Sequence, residues 1–164
     1  MTADPLHDLQ VLTQSGLPPA DLIIQAATLI SRILHADWSG LLTTTPTTHT
    51  YQIVHHRSDL PTPLLTYLEQ RTRSNRPLGR LNLETTHPTY VDHYPDLPDA
   101  KKGAVSFGIN AVAHLPLGTH NGQTYVMTVV RTSPTILTRS TPWTHDERAF
   151  MDAATRTVRK ALMP

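Results

Sequence analysis

Between Ala20 and Ala36 the apolar residues Leu22, Ile23, Ala26, Leu29, Ile30, Ile33 and Leu34 recur at intervals of three and four, with Asp21, Gln25, Thr28 and Arg32 on the other side. This spacing predicts an amphipathic helix. Pro18-Pro19 opens it, since the first turn has no partner for the N–H that proline lacks. Ahead of it, residues 1–17 form a polar lead-in whose scattered leucines, Leu6, Leu9 and Leu12, fit a short helix. The period then shortens, and residues 38–45 and 49–56 read as two strands around the turn-prone Pro46. Thr62 and Pro63 start a second helix that runs through Leu64, Leu65 and Leu68 and ends before Arg76-Pro77. Residues 78–104 keep no period apart from a short strand at 89–92 and the turn-rich run His93-Tyr94-Pro95-Asp96-Leu97-Pro98. Residues 108–117 and 123–132 are the two best strands, and the Asn121-Gly122 between them suits a tight hairpin. Thr144 and Glu147 form a capping box for a last helix with the apolar stripe Phe150, Met151, Ala154, Val158, Ala161 and Leu162.

These elements make one α+β domain, residues 18–164 after the lead-in, with terminal helices and an antiparallel central sheet. A chain of 164 residues is long enough to bury a core without staples. With 38% hydrophobic and 16% charged residues it is neither a disordered tail nor a membrane protein. The absence of cysteine excludes a disulfide scaffold, a thiol nucleophile and thiolate metal sites. A net charge of +1 gives no pull toward nucleic acid or anionic lipid. The start carries no signal-peptide pattern, and no apolar run approaches the roughly 20 residues of a spanning helix, so a soluble cytoplasmic domain is expected.

Catalytic templates are missing: there is no phosphate-cradling glycine–lysine loop, no Gly-x-Ser-x-Gly elbow and no His-Glu-x-x-His helix. The 10 histidines show no metal-ligand spacing, and read as solvated polar residues. His55 and His56 are adjacent in a strand and point to opposite faces. Arg71, Arg73, Arg76 and Arg80 read as a solvated helix end favoured by the dipole, because a phosphate-tracking surface would interleave aromatic residues. Alternation in residues 108–117 gives one apolar face, Ile109, Ala111, Ala113, Leu115 and Leu117, which should pack on the terminal helices. Asn110, Val112 and His114 share the mixed face.

Three stretches together resemble the GAF domain family in order and spacing. They are Pro88-Thr89-Tyr90-Val91-Asp92-His93-Tyr94, the glycine–aliphatic strand from Gly108 to the Pro116-Leu117 pair, and Trp143-Thr144-His145-Asp146-Glu147-Arg148 continuing to Leu162. The resemblance covers about residues 20–162 and implies a sheet of six or so antiparallel strands, with helices on one face and a lidded small-molecule pocket on the other. Members of the family sense cyclic nucleotides, tetrapyrroles, haem, amino-acid-like effectors or metals, and many serve as dimerising connectors. Without cysteine, covalent pigment attachment and thiol-dependent methionine sulfoxide reduction are closed to this chain; a non-covalent tetrapyrrole is not.

By the resemblance the pocket wall holds Asn110, Val112 and His114, with Met127, Val129 and Arg131 from the companion strand; Tyr90, Asp92, His93 and Tyr94 form the lid. A one-residue slip would turn residues 124–131 over. His114 then meets either a ligand or a protein group such as Asp92. Arg131 either pairs a ligand carboxylate or phosphate, or is an exposed strand end. Trp38 reads as core. Two functions remain: a non-enzymatic sensory domain that signals through paired terminal helices of a homodimer to an output domain or partner, or a dimerisation scaffold with a self-filled pocket. An enzyme using His114 or Asp92 as base lacks a nucleophile or metal. The sequence specifies no cofactor.

Overall fold

The computed structural model describes residues 4–74, 85–133 and 142–163. The lead-in carries a helix, α1 (Pro5–Thr13), whose first turn is capped by Asp4. Then follow α2 (Pro19–Ile33), β1 (Trp38–Thr44), β2 (His49–His56), α3 (Thr62–Arg73), β3 (Thr89–Val91) and a single 3-10 turn (Tyr94–Asp96). α4 (Lys102–Ser106), β4 (Ile109–His120), β5 (Gln123–Thr132) and α5 (His145–Leu162) complete the chain. The strands form one antiparallel sheet in the order β2-β1-β5-β4-β3. The described residues therefore supply five strands, not six. The 3-10 turn and α4 arise in the stretch that showed no period.

Two apolar layers enclose this sheet. On one face, Leu41, Ala111, Ala113, Leu115, Leu117, Met127 and Val129 pack against Leu9 of α1, Ile23, Ala26 and Ile30 of α2, and Met151, Ala154 and Val158 of α5. On the other, Trp38, Leu42, Tyr51, Val112 and Val130 pack under Leu64 and Leu68 of α3, Tyr94, and Ala104 of α4. Both cores are hydrophobic burial of the ordinary kind, so the sheet is apolar on both sides rather than solvated on one. The capping box of α5 is formed in full. Within its apolar stripe the structure buries Met151, Ala154, Val158 and Leu162, leaves Phe150 half-buried and exposes Ala161. Among the described residues no helix is long and apolar enough to cross a membrane.

Two irregularities in β4 decide which residues face which layer. The hairpin closes at His120↔Gln123 and runs in regular register to Gly118↔Tyr125, but then Pro116 pairs with Val126. Leu117 is the extra residue, a β-bulge, and it flips every later pair on β5 relative to an uninterrupted hairpin. Gly118 permits the bulge: its φ is +126°, and a Cβ there would lie 2.9 Å from Leu162 of α5. A second shift falls between Ile109 and Ala111, and it turns Ile109 to the α3–α4 side. The expectation that Ile109 packs on the terminal helices is thereby corrected; Ala111, Ala113, Leu115 and Leu117 do so.

Candidate functional site

The sheet face beneath α3 and α4 holds a polar row inside an apolar frame. Across the strands, Gly40 of β1 pairs with Thr128 of β5, Thr128 with His114 of β4, and His114 with Thr89 of β3. Tyr51 reaches over from β2, and its phenol occupies the place where a Cβ on residue 40 would stand, so glycine is required there. The Tyr51 hydroxyl meets Thr128, and burial pushes its ionisation well above the usual tyrosine range, against the opposing pull of Arg71. Arg71 lies on α3, where its guanidinium donates to the Tyr67 hydroxyl at 2.8 and 3.0 Å. Tyr67 in turn stacks against Phe107, with ring centroids 4.8 Å apart. One row along, Trp38, Val130, Val112 and Val91 line up in register. Trp38 is buried, and its indole Nε1 has no hydrogen-bond partner among the described residues.

Beside this face a groove of about 650 Å³ runs between β2 and α3, lined by Gln52, Ile53, His56, Leu65, Leu68 and Glu69 among others. Ile53 and Leu68 belong both to its wall and to the packed layer, so the groove borders the polar row's own core.

Of the residues expected at the pocket, Val112, His114 and Tyr94 come together on this side of the sheet. Val112 and Tyr94 are buried in its apolar layer, and the Tyr94 hydroxyl accepts the Lys101 N–H at 3.0 Å. Half-buried His114 shares the face of Thr128 by register. Asn110 is buried at the second irregularity of β4.

The other expected residues lie elsewhere. Met127 and Val129 belong to the helix-side core, paired with Leu115 and Ala113. The Leu117 bulge is the reason: an uninterrupted hairpin would have left Thr128 and Val130 opposite those residues instead. Tyr125 lies in the helix-side core with them. Arg131 is not an exposed strand end, and its guanidinium is engaged by protein groups. It pairs through both guanidinium nitrogens with Glu147, donates to the Leu34 carbonyl at 2.8 Å, and covers the Trp143 ring at 4.4 Å.

Tyr90 and Asp92 face α5 rather than the polar row. The Tyr90 hydroxyl donates to Asp152 at 2.6 Å, and Arg148 lies over its ring at 4.8 Å. Asp92 accepts from the Trp143 N–H at 3.1 Å and from Arg148 at 2.9 and 3.1 Å. The expected lid strand is thus paired with β4 and also fastened to the last helix, and the partner of Asp92 is Arg148 rather than His114. His93 sits with Nδ1 2.9 Å from the Asp96 carboxylate. The arginine cluster divides: Arg71 joins the site, while Arg76 and Arg80 lie outside the described residues.

Sequence reasoning missed Tyr51, Thr128 and Arg71 as site residues and placed Trp38 only in the core. Alternation along β4 found His114, but the others depend on pairings with β1, β2 and α3 that no local pattern carries. Another histidine, His55, is tied into the core. His55 Nδ1 lies 3.1 Å from Ser31, which also accepts from Ser39 at 2.7 Å, and Ser31 of α2 and Ser39 of β1 are both fully buried. Burial first, then Arg32 and His56, holds His55 below the usual histidine pKa and favours the neutral ring. Among the described residues no three His, Asp or Glu side chains converge as a metal site.

No protein-family model matches the sequence, and none of the curated proteins compared with it does. Solved structures match it in shape. Escherichia coli SdiA superposes with a TM-score of 0.60 at 15% identity, over 96% of this chain and 66% of SdiA. This chain therefore spans just under two thirds of SdiA's length. The LuxR-family transcription factor CepR2 from Burkholderia cenocepacia gives 0.57 at 16% identity, over 96% of this chain and 90% of that one. The GAF domain of a phosphoenolpyruvate-protein phosphotransferase from Coxiella burnetii gives 0.60 at 13% identity, over 94% and 88%. At such identities the likeness speaks for the fold alone. Five antiparallel strands between a layer of terminal helices and a smaller α3–α4 layer, matched by these structures, give the chain a GAF-like fold.

Proposed function

We propose that this chain is a non-enzymatic sensory or regulatory domain that binds a small molecule between its sheet and the α3–α4 layer. The observation that carries the reading is the indole N–H of Trp38, buried with no acceptor among the described residues. Such a donor costs about 1–3 kcal/mol when left unpaired, and a ligand oxygen would recover it. The neighbouring row of Tyr51, Thr128 and His114 offers further polar contacts, and the apolar frame around it suits a ligand body of hydrocarbon. SdiA has been solved with octanoyl-rac-glycerol, and CepR2 depends on an N-acylhomoserine lactone. Both compounds join an acyl chain to a carbonyl, the combination that an apolar frame around an unpaired donor would take. Release to the outside runs along the β2–α3 groove.

The signal has a short path. β3 pairs with Val112, Ala113 and His114 on one side and is tied to α5 through Tyr90–Asp152 and Asp92–Arg148 on the other. A ligand that shifts β4 or Tyr94 would load these ties and move α5. A second reading, a scaffold whose site is filled by its own side chains, draws on the close packing of Trp38, Leu42, Tyr51, Leu64, Leu68 and Val112.

The test is native mass spectrometry of the purified chain, with denaturing release of bound molecules, followed by titration with octanoyl-rac-glycerol. A released small molecule or saturable binding is expected, weakened about tenfold in Trp38→Phe by the loss of one hydrogen bond. An empty protein that binds nothing, or binding untouched by Trp38→Phe, would overturn the sensory reading and leave the scaffold.

A further inference from the structure

Away from the polar row, the seam between β3 and α5 encloses a cavity of about 310 Å³, lined by His87, Pro88, Tyr90, Asp152, Thr155 and Arg156 among others. Its floor is unusual. Thr28, Thr66, Thr72 and Thr157 all return their hydroxyl proton to the carbonyl four residues back, as helical threonines commonly do. Thr155 does not: it is 1% exposed, and its hydroxyl has no partner among the described residues. Its rim carries both signs of charge. Asp152 uses one carboxylate oxygen to accept from Tyr90 and has no donor on the other among the described residues. Arg156, one turn further on, is exposed and pairs with no carboxylate among the described residues.

We propose that this cavity is a second binding site, for a small zwitterion of the α-amino acid class. The charge pattern selects the class. A simple anion drawn by Arg156 would be opposed by Asp152, and a simple cation drawn by Asp152 would be opposed by Arg156. A zwitterion answers both: its ammonium meets the free oxygen of Asp152, and its carboxylate meets the guanidinium fork of Arg156. The Thr155 hydroxyl then finds an acceptor in that carboxylate, and its burial makes the bond worth more than one at the surface. Pro88 and the Tyr90 ring provide an apolar wall for a short side chain, which limits the ligand to small amino acids.

The site spans β3 and α5, the two elements that the Tyr90–Asp152 bond already joins. Occupancy would hold that seam closed, so the zwitterion acts on the same joint as a ligand bound at the polar row, from the opposite side of β3. The inference stands on the seam alone and does not depend on the sheet-face reading.

The experiment is calorimetric and NMR titration of the full chain with glycine and L-alanine, with acetate and ethylammonium as singly charged controls. Saturable binding of both zwitterions is expected, with shifts at His87 and Thr155. The singly charged probes should bind about tenfold more weakly or worse. Arg156→Gln, at an exposed side chain with no carboxylate partner among the described residues, and Thr155→Val, which keeps the side-chain shape, should each weaken alanine binding by about tenfold. Trp38→Phe should leave it unchanged. The site is disproved if alanine gives no saturable response up to about 10 mM, if acetate binds as well as alanine, or if both variants bind alanine like the parent chain.

Discussion

Arg131 draws together β5, the end of α2 and the first turn of α5 through one guanidinium. It stacks on Trp143, donates to the Leu34 carbonyl and forks onto Glu147. Glu147 is also the third helical residue of α5, where it accepts the Thr144 N–H at 2.9 Å. Burial works to raise the Glu147 pKa, but hydrogen bonds from Arg131 and the Thr144 backbone outweigh it, and the carboxyl is held below its ordinary value. A carboxyl with a lowered folded-state pKa stabilises the fold above its unfolded value, and that contribution is lost as pH falls through the folded value. The parent chain should therefore be more stable than Glu147→Gln by about 1 kcal/mol at neutral pH. The gap should close as pH drops below about 4, the ordinary glutamate range. Thermal melts of both proteins from pH 7 to pH 3 measure it. A gap that stays constant over that range would show that the charge of Glu147 contributes nothing.

At the scale of elements, periodicity was a good guide wherever one face of an element meets one layer. The stripe of α2, the ends of β5 and the capping box of α5 could all be read from spacing, because each is decided within a few neighbouring residues. Facing in β5 could not, because it depends on the bulge at Leu117. A two-residue hairpin at Asn121-Gly122 predicts its partners correctly as far as Gly118, and one bulged residue then reverses all the pairs beyond. Nothing local marks that bulge except a glycine whose value lies in the approach of α5, an element more than 40 positions away in the chain when counted from Gly118 to Leu162. The same limit hid half the site: His114 was visible on its own strand, but Tyr51 over Gly40 is a pairing of separate strands. Within α5 the stripe can be refined. Met151 is fully buried whereas Phe150 is half-buried at its edge. Met151→Ala should cost about 2–5 kcal/mol by leaving a cavity between α5 and the sheet. Phe150→Ala should cost less, although the side chain removed is larger. Denaturant unfolding of the two variants checks the order, and a larger loss at Phe150 would mean that α5 is rotated about its axis from the position described.

The whole molecule is asymmetric about its sheet: one side carries the polar row under short helices, and the other carries three helices, two of them long. That helix layer leaves large apolar side chains in the open. Val11 of α1 is 55% exposed and Ile24 of α2 is 38% exposed. Between these helices lies a concavity of about 470 Å³, lined by Val11, Leu12 and Leu29 together with polar residues. A ligand on the far face would be reported through β3, whose Val91 and Tyr90 face opposite layers, to α5, which is tied to β3 at one end and packed against α1 and α2. Pairing of the helix layer with a second copy would cover the exposed side chains and turn a small shift of α5 into a change between subunits. Native mass spectrometry and sedimentation at about 10 µM, well above the dissociation constant of a stable dimer, should then find two chains. Val11→Glu combined with Ile24→Glu places like charges on that surface without touching the buried core, so it should give a monomer with a nearly unchanged melting temperature. If the parent chain is itself a monomer, the exposed helix face has no second copy to meet, and any signal from the polar row must end on a different partner. If the double variant still dimerises, the contact lies elsewhere, and α5 would have to act on it through the β3 seam.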